Sequence, residues 1–175
     1  MLGRSTAHGA PDVLAGALRP EPVHARAHPQ VAPAHASSVP RPIFLAAPES
    51  GQGALGLVDK LLAGLEVASD GAWKAGDVFV PHLQVGDAGI EVTPAAWFER
   101  TLTALQEARV VVAVLDGPQV DENVAFLLGY AFAAQKPVVA YATDGRAKGP
   151  LTGGAARATA IDLRGLVKEL RKALG

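Results

Sequence analysis

The fold is decided by the stretch Val110-Val111-Val112-Ala113-Val114-Leu115-Asp116-Gly117-Pro118 and by the residues that follow it. A continuous apolar run closed by an Asp-Gly-Pro turn is typical of a strand buried on both faces of a parallel sheet. The nearly all-apolar stretch 122–134 predicts a helix, and Pro137-Val138-Val139-Ala140-Tyr141 predicts the next strand. A strand, a helix and a second strand in succession indicate a right-handed βαβ unit.

The same alternation continues on both sides of this unit. Three further apolar runs predict strands: Ile43-Phe44-Leu45-Ala46-Ala47, Val78-Phe79-Val80 and Ala160-Ile161. Helices are expected over about 55–65, from Thr93-Pro94 to about 108, and over 163–174 behind an Asp162 cap, with a glycine-rich loop over 144–154. We therefore expect the α/β class, with a three-layer parallel sheet of about five strands in a flavodoxin-like or Rossmann-like order.

Composition argues against several classes of partner. The chain carries 16 basic and 17 acidic residues, so it has no positive excess for binding the phosphate backbone of nucleic acid. It has no cysteine, which removes disulfides, thiolate metal sites and a cysteine nucleophile. The apolar runs are all shorter than the roughly 18–20 residues of a membrane span. We expect a soluble, cytoplasmic protein with no cofactor and no bound metal.

The first 41 residues differ in composition from the rest. Seven of the 13 prolines, counting Pro42, and four of the five histidines lie in this part of the chain. The stretch has no periodic apolar pattern, and such a segment cannot bury enough surface to offset its ordering entropy. Its histidine spacing fits no standard zinc pattern. The sequence therefore predicts a disordered tail over 1–41 and a folded domain over 42–175.

One glycine pattern is compatible with a dinucleotide site. Gly51-Gln52-Gly53-Ala54-Leu55-Gly56 matches G-x-G-x-x-G, follows a predicted strand and opens a predicted helix. However, Pro48-Glu49-Ser50 separates that strand from the first glycine, whereas the fingerprint needs a tight turn directly after the strand. We therefore prefer a plain loop and helix here, and a phosphate or dinucleotide role stays open as the alternative.

The central stretch carries a family resemblance. It reads Leu115-Asp116-Gly117-Pro118, then Asp121-Glu122-Asn123-Val124-Ala125-Phe126-Leu127-Leu128-Gly129-Tyr130-Ala131, then Lys136-Pro137-Val138. This pattern resembles the nucleoside 2-deoxyribosyltransferase family, which has L-D-G-P, an aspartate, G-T-A-x-E-x-G-Y-A and K-P-V. The run from Ile43 to Pro48 is similar to that family's first strand and loop, so the resemblance spans about residues 42–146.

The resemblance implies a chemistry whose nucleophile is missing here. In the family a glutamate on the helix attacks the anomeric carbon of a 2-deoxyribonucleoside, the base leaves, and a second base or water takes the sugar. The place of that glutamate is Leu127, which can neither attack nor stabilise positive charge. The family's base-handling aspartate falls near Thr101, and an aspartate before the central strand is Arg109 here. Asn123 and Val124 replace a glycine and a threonine.

The resemblance also implies where a ligand would bind. The implied residues lie on the first strand and its loop, on the turn after the central strand and at the start of the next helix: Phe44, Ala47, Asp116, Gly117, Asp121 and Asn123. Each has a structural alternative. The Asp116-Gly117-Pro118 segment can be only a turn, Asp121 only a helix N-cap, Gly129 only a packing contact and Tyr130 only a space-filling residue.

Because the family's glutamate is absent, no catalytic residue can be assigned from the sequence. Glu122 is the nearest acid that could replace it, but the helix places the two positions on different sides. Glu49 and Glu99 are more distant candidates. Leu127 itself is expected to lie in the core, because its neighbours make this helix apolar all round.

Three functions follow from these observations. The first is a degenerate family member that binds a nucleoside or nucleotide without efficient glycosyl transfer. The second is an active deoxyribosyltransferase or N-glycoside hydrolase with a relocated acid. The third is an interaction or scaffold module whose N-terminal tail recruits a protein partner. The resemblance further implies homo-oligomers in which neighbouring subunits complete each site.

Overall fold

The computed structural model describes residues 41–48, 54–84, 93–117, 119–146 and 148–175. Its strands are β1 (Ile43–Ala46), β2 (Val78–Phe79), β3 (Val110–Val114), β4 (Val138–Tyr141) and β5 (Ala158–Ala160). All pairs are parallel, in the order β2-β1-β3-β4-β5, which is the flavodoxin-like order. The predicted fold class is therefore confirmed.

The helices cover both faces of this sheet. They are α1 (Ala54–Ala68), α2 (Pro81–Gln84), α3 (Pro94–Glu107), α4 (Glu122–Ala133), α5 (Pro150–Ala155) and α6 (Leu163–Leu174). The predicted caps are confirmed, since Thr93 Oγ1 accepts from Ala96 N at 3.2 Å and Asp162 Oδ1 from Gly165 N at 2.6 Å. Among the helices of the described ranges, none combines the length and the apolar character of a membrane span.

Two local predictions were wrong. The glycine-rich stretch predicted as a loop over 144–154 contains α5, which begins at Pro150, where the fixed φ of proline suits the first helical position. The last strand ends at Ala160 instead of starting there, because Ala158–Ala160 pairs with β4 and the chain must then turn into α6.

Two separate cores lie on the two faces of the sheet. Along β3, Val110, Val112 and Val114 pack toward the α1 and α6 side, where Leu65 and Leu170 are buried. The alternate residues of β3 pack with buried residues of α3 and α4: Val111, Ala113, Leu105, Val124 and Leu128. The period-two alternation of a strand therefore divides the apolar run of β3 between both layers of helices.

Several sequence features lie outside the described residues. They include residues 1–40, Glu49, and the first three positions of the glycine pattern, Gly51 to Gly53. At the last position of that pattern, Gly56, an added Cβ would meet nothing within 4 Å. The described part of this helix therefore gives no packing reason for a glycine at position 56.

Candidate functional site

The carboxyl ends of β3 and β4 are joined by a network built on Asp116. Its Oδ1 accepts from the backbone N–H of Thr143 at 2.5 Å and of Asp144 at 3.1 Å, and its Oδ2 accepts from the Thr143 hydroxyl at 2.8 Å. These bonds hold the loop after β4 against the turn after β3. The predicted ligand residue Asp116 therefore already uses both carboxylate oxygens inside the fold.

Asp144 completes this network from the opposite side. Its Oδ2 accepts from Gly117 N at 2.9 Å, and Lys148 Nζ lies 2.8 and 3.0 Å from its two oxygens. The Lys148 side-chain bonds and the N–H of Arg146 lower the pKa of Asp144 to about 2. Gly117 has a φ of +107°, a conformation that favours glycine at this turn. The loop after β4 thus fixes the turn after β3 through these hydrogen bonds.

The first turn of α4 carries two more of the predicted ligand residues. Asp121 is its N-cap, with Oδ1 accepting from Asn123 N at 2.9 Å and Val124 N at 3.3 Å. The capping alternative for Asp121 is therefore realised in the structure, and a cap can coexist with a ligand contact at a helix N-terminus. Asn123 is exposed beside it.

Leu127, which the resemblance aligns with the family's nucleophile, is inside the protein. Leu127 is 4% exposed and packs in the core between the sheet, α3 and α4. Glu122 is exposed on the first turn of α4. Five residues of helix correspond to a rotation of about 140° and a rise of about 7.5 Å, so Glu122 projects away from Leu127.

A small cavity separates α3 from α4 at this level. Its volume is about 60 Å³, and its lining is Trp97, Phe98, Thr101 and Leu102 from α3 with Asn123, Phe126 and Leu127 from α4. Leu127 and Thr101, the two positions that the resemblance aligns with family acids, thus line one cavity. That volume is far below the roughly 300 Å³ at the lower end of ordinary ligand pockets. The cavity as it stands has no room for a nucleoside.

Thr101 is a buried polar residue in this cavity. It is 1% exposed, and its Oγ1 has no hydrogen-bond partner among the described residues. Leaving a hydroxyl unpaired in such a place costs about 1–3 kcal/mol.

Thr101→Val is therefore expected to raise the free energy of unfolding by about 1 kcal/mol, because valine keeps the shape and removes the unpaired hydroxyl. Urea denaturation measures the change. The exposed Thr103 on the same helix is the control, and its valine variant should stay within about 0.5 kcal/mol of the wild type. A loss of stability in Thr101→Val would show that the hydroxyl is hydrogen-bonded after all.

The predicted ligand residues on β1 and directly after it, Phe44 and Ala47, are both buried. Phe44 is 0% exposed, and its ring stacks on Phe79 with centroids 5.6 Å apart. Ala47 is 5% exposed at the end of the strand. The structure therefore brings Asp116, Gly117 and Asp121 to the edge of the sheet but places the Phe44 side chain in the core.

Two neighbouring residues of the motif, Gly129 and Tyr130, have different structural roles. Tyr130 Oη accepts a hydrogen bond from Gln106 Nε2, which ties α4 to α3. Gly129 is exposed, and an added Cβ would meet nothing within 4 Å. The packing interpretation of Gly129 is therefore wrong for the described part of the chain, whereas Tyr130 connects two helices in addition to filling space.

Sequence reasoning missed His82. It lies on α2, directly after β2, and both ring nitrogens are inaccessible and without a hydrogen-bond partner among the described residues. Burial lowers the pKa of His82, and the charge of Asp59 opposes that shift. The one feature of the sequence that singles out His82 is its position, because it is the one histidine outside the N-terminal stretch.

Burial of His82 is expected to lower the free energy of unfolding at acidic pH. Because its folded-state pKa is lowered, the unfolded chain takes up the proton first, so stability is full above about pH 6.5 and falls as the pH drops below it. One proton limits the slope to about 1.4 kcal/mol per pH unit. His82→Leu should remove this part of the slope between pH 7 and 5.5 in chemical denaturation. Equal slopes in the two proteins would contradict it.

Comparison with known proteins agrees with the geometry. The sequence model of the nucleoside 2-deoxyribosyltransferase family matches residues 43–170. No curated protein matches the chain significantly in sequence.

Two solved structures share the fold. A conserved protein from Enterococcus faecalis V583 is 22% identical with a TM-score of 0.59, over 74% of this chain and 96% of that one. A 2-deoxyribosyltransferase from the psychrotolerant bacterium Bacillus psychrosaccharolyticus is 20% identical with a TM-score of 0.60, over 71% and 89%. The family match covers the sheet and the helices that form the candidate site, and the chain belongs to the nucleoside 2-deoxyribosyltransferase family.

Proposed function

We propose that this chain is a degenerate family member that binds a nucleoside or nucleotide at the carboxyl edge of the sheet without efficient glycosyl transfer. The observation that carries the proposal is the buried Leu127 at the nucleophile position. We place this activity in the cytoplasm, in keeping with a chain that contains no cysteine.

The chemistry explains why transfer should fail. The reaction needs a carboxylate next to the anomeric carbon, either to form the covalent sugar intermediate or to stabilise positive charge as the base leaves. The cavity beside Leu127 is lined only by uncharged side chains. Loss of a single nucleophile typically lowers kcat by about 10⁴–10⁶-fold, so residual binding would persist long after turnover is lost.

Ligand binding is supported by what remains at the edge of the sheet. The described cap uses only Oδ1 of Asp121, which leaves Oδ2 available to a sugar hydroxyl. The α4 N-terminus beside it favours an anionic group such as a phosphate. Asp116 and Asp144 hold the two neighbouring loops in place, so the edge is preorganised for a ligand.

The test uses the full chain with a panel of 2-deoxynucleosides and their monophosphates, with and without a second free base. We expect a thermal upshift with at least one ligand and no base release by chromatography. Asp121→Ala should abolish the upshift. Asp162→Ala is the matched control, because it removes an equivalent helix cap from α6 without touching the α4 edge.

The panel also distinguishes the alternative of an active enzyme with a relocated acid. Base release that disappears in Glu122→Gln or in Asp121→Ala would replace our proposal with a deoxyribosyltransferase or N-glycoside hydrolase. Glu122 is exposed, so its glutamine variant should fold normally.

A specific observation favours self-association as a second candidate function. Large aromatic side chains are exposed on α3 and α4: Phe98 at 44%, Phe126 at 51% and Phe132 at 62%. Phe98 and Phe126 lie together, with ring centroids 5.9 Å apart, and exposed apolar surface of this kind often marks a protein interface. We therefore propose a homo-oligomer through α4, with residues 1–41 as a separate segment for a protein partner. Light scattering of wild type and Phe126→Ser tests the oligomer, and an unchanged monomeric mass in both would contradict it.

A further inference from the structure

A larger cavity lies at the edge of the sheet opposite to the candidate functional site. Its volume is about 220 Å³, and its lining comes from the starts of β4 and β5 and from the last turns of α6. We call it the amino-edge cavity, because the amino ends of parallel strands share one edge of a sheet. The four residues of β4 span about 13 Å, so the strand separates this cavity from the network around Asp116.

The amino-edge cavity has a charged rim and an apolar floor. Arg157 and Lys172 line it and are exposed, whereas Val139 is 3% exposed and Ala173 is half-buried. Pro137 adds a further apolar side chain. The lining therefore suits an occupant with an apolar body and one charged end.

The amino edge of the sheet is rich in basic residues. One stands one or two positions before each of four strands: Arg41 before β1, Arg109 before β3, Lys136 before β4 and Arg157 before β5. The first three donate to main-chain carbonyl oxygens, so the fold already uses them. Within the described ranges, the Arg157 side chain has neither a hydrogen-bond acceptor nor a carboxylate partner. Arg157 is therefore the cation that a ligand can pair with.

The second cation of the lining is already neutralised. Lys172 Nζ lies 2.7 Å from Glu169 Oε1, and both residues line the cavity. One unit of positive charge thus remains, on Arg157. A guanidinium binds a carboxylate through two parallel N–H···O bonds, whereas a phosphate dianion would leave one charge unbalanced and would face Glu169. These charges favour a carboxylate with a single negative charge.

The volume limits the length of the apolar body. About 220 Å³ corresponds to roughly seven water-sized groups at about 30 Å³ each. A carboxylate that carries a short, branched alkyl chain has about this size. The apolar floor would remove the alkyl chain from water, while the carboxylate stays at the exposed rim.

We propose that the amino-edge cavity binds a short-chain aliphatic monocarboxylate. Its carboxylate pairs with Arg157, and its alkyl chain lies on Val139 and Ala173. The proposal goes beyond nucleoside binding and does not depend on it, because no residue of this lining belongs to the carboxyl edge of the sheet.

The experiment titrates the full chain through the millimolar range with isovalerate, with isoamyl alcohol and with inorganic phosphate. The NMR signals of the Val139 and Ala173 methyl groups report on the floor of the cavity. Isovalerate should shift both signals saturably and bind roughly tenfold more tightly than isoamyl alcohol, which has the same alkyl chain without the charge. Inorganic phosphate should leave both signals unchanged.

Arg157→Gln tests the partner of the carboxylate. This variant should lose the preference for isovalerate and keep the weaker binding of isoamyl alcohol. Arg164→Gln is the matched control, because Arg164 is an exposed arginine of α6 outside the lining, and its variant should keep the preference. Thermal melting checks that both variants are folded.

Three results would overturn the proposal. They are the absence of a saturable shift with isovalerate, an unchanged preference for isovalerate in Arg157→Gln, and phosphate binding as tight as that of isovalerate at the same signals. The last of these would make the cavity a general anion site. Nucleoside binding is scored separately through Asp121→Ala, so either claim can fail without the other.

Discussion

Leu127→Glu is expected to lower the free energy of unfolding by about 3–5 kcal/mol at neutral pH. Leu127 is 4% exposed in the core, so the new carboxylate would be desolvated without a cationic partner in the cavity lining. The single hydroxyl of Thr101 can donate only one hydrogen bond to it. Urea denaturation at several pH values measures the loss.

The pH dependence identifies the cause of that loss. Burial raises the pKa of the introduced carboxyl above its ordinary value of about 4.3, so stability is kept below that pH and is lost as the pH rises through the raised pKa. Leu127→Gln is the control, because it has the same shape and no charge. A Leu127→Glu protein as stable as the wild type at pH 7 would mean that position 127 opens onto a solvated site.

Phe44→Ala should cost about 3–5 kcal/mol of unfolding free energy, the usual range for removing a buried phenylalanine. Phe44 is 0% exposed on β1, between β2 and β3, and stacks on Phe79. The half-buried Phe79 at the sheet edge is the comparison, and its alanine variant should lose clearly less.

This variant also tests the role that the family resemblance assigned to Phe44. A loss below about 1 kcal/mol in guanidinium or urea denaturation would show that the ring is not part of the core. Phe44→Leu should stay within about 1.5 kcal/mol of the wild type and leave nucleoside thermal upshifts unchanged. Loss of the thermal upshift in a stably folded Phe44→Leu protein would show that Phe44 takes part in ligand binding.

The sequence predicts the strands well because both faces of this sheet are buried. The continuous apolar run of β3 is possible only in a strand covered on two sides, and its flanking Asp121 and Pro137 mark where the neighbouring elements begin. The sequence pattern does not predict α5, because the glycines in and around this six-residue helix are poor helix formers.

The site was less predictable because its contacts join residues distant in sequence. The bonds from Asp116 to Thr143, 27 residues later, depend on the pairing of β3 with β4 and leave no local pattern. The meeting of Thr101 with Leu127 across the cavity depends on helix packing. The burial of Phe44 depends on the register of β1, which decides which of its side chains face α3 and α4.

The central claim is that no residue of this chain forms a covalent bond to the sugar. Intact-mass spectrometry of the wild type, acid-quenched after incubation with saturating 2-deoxynucleosides, tests it most directly, because the family's chemistry passes through a covalent deoxyribosyl-enzyme. The account predicts only the unmodified mass under conditions where a thermal upshift shows the ligand bound. A deoxyribosyl adduct mapped to Glu122, Asp121 or any other acid would contradict it.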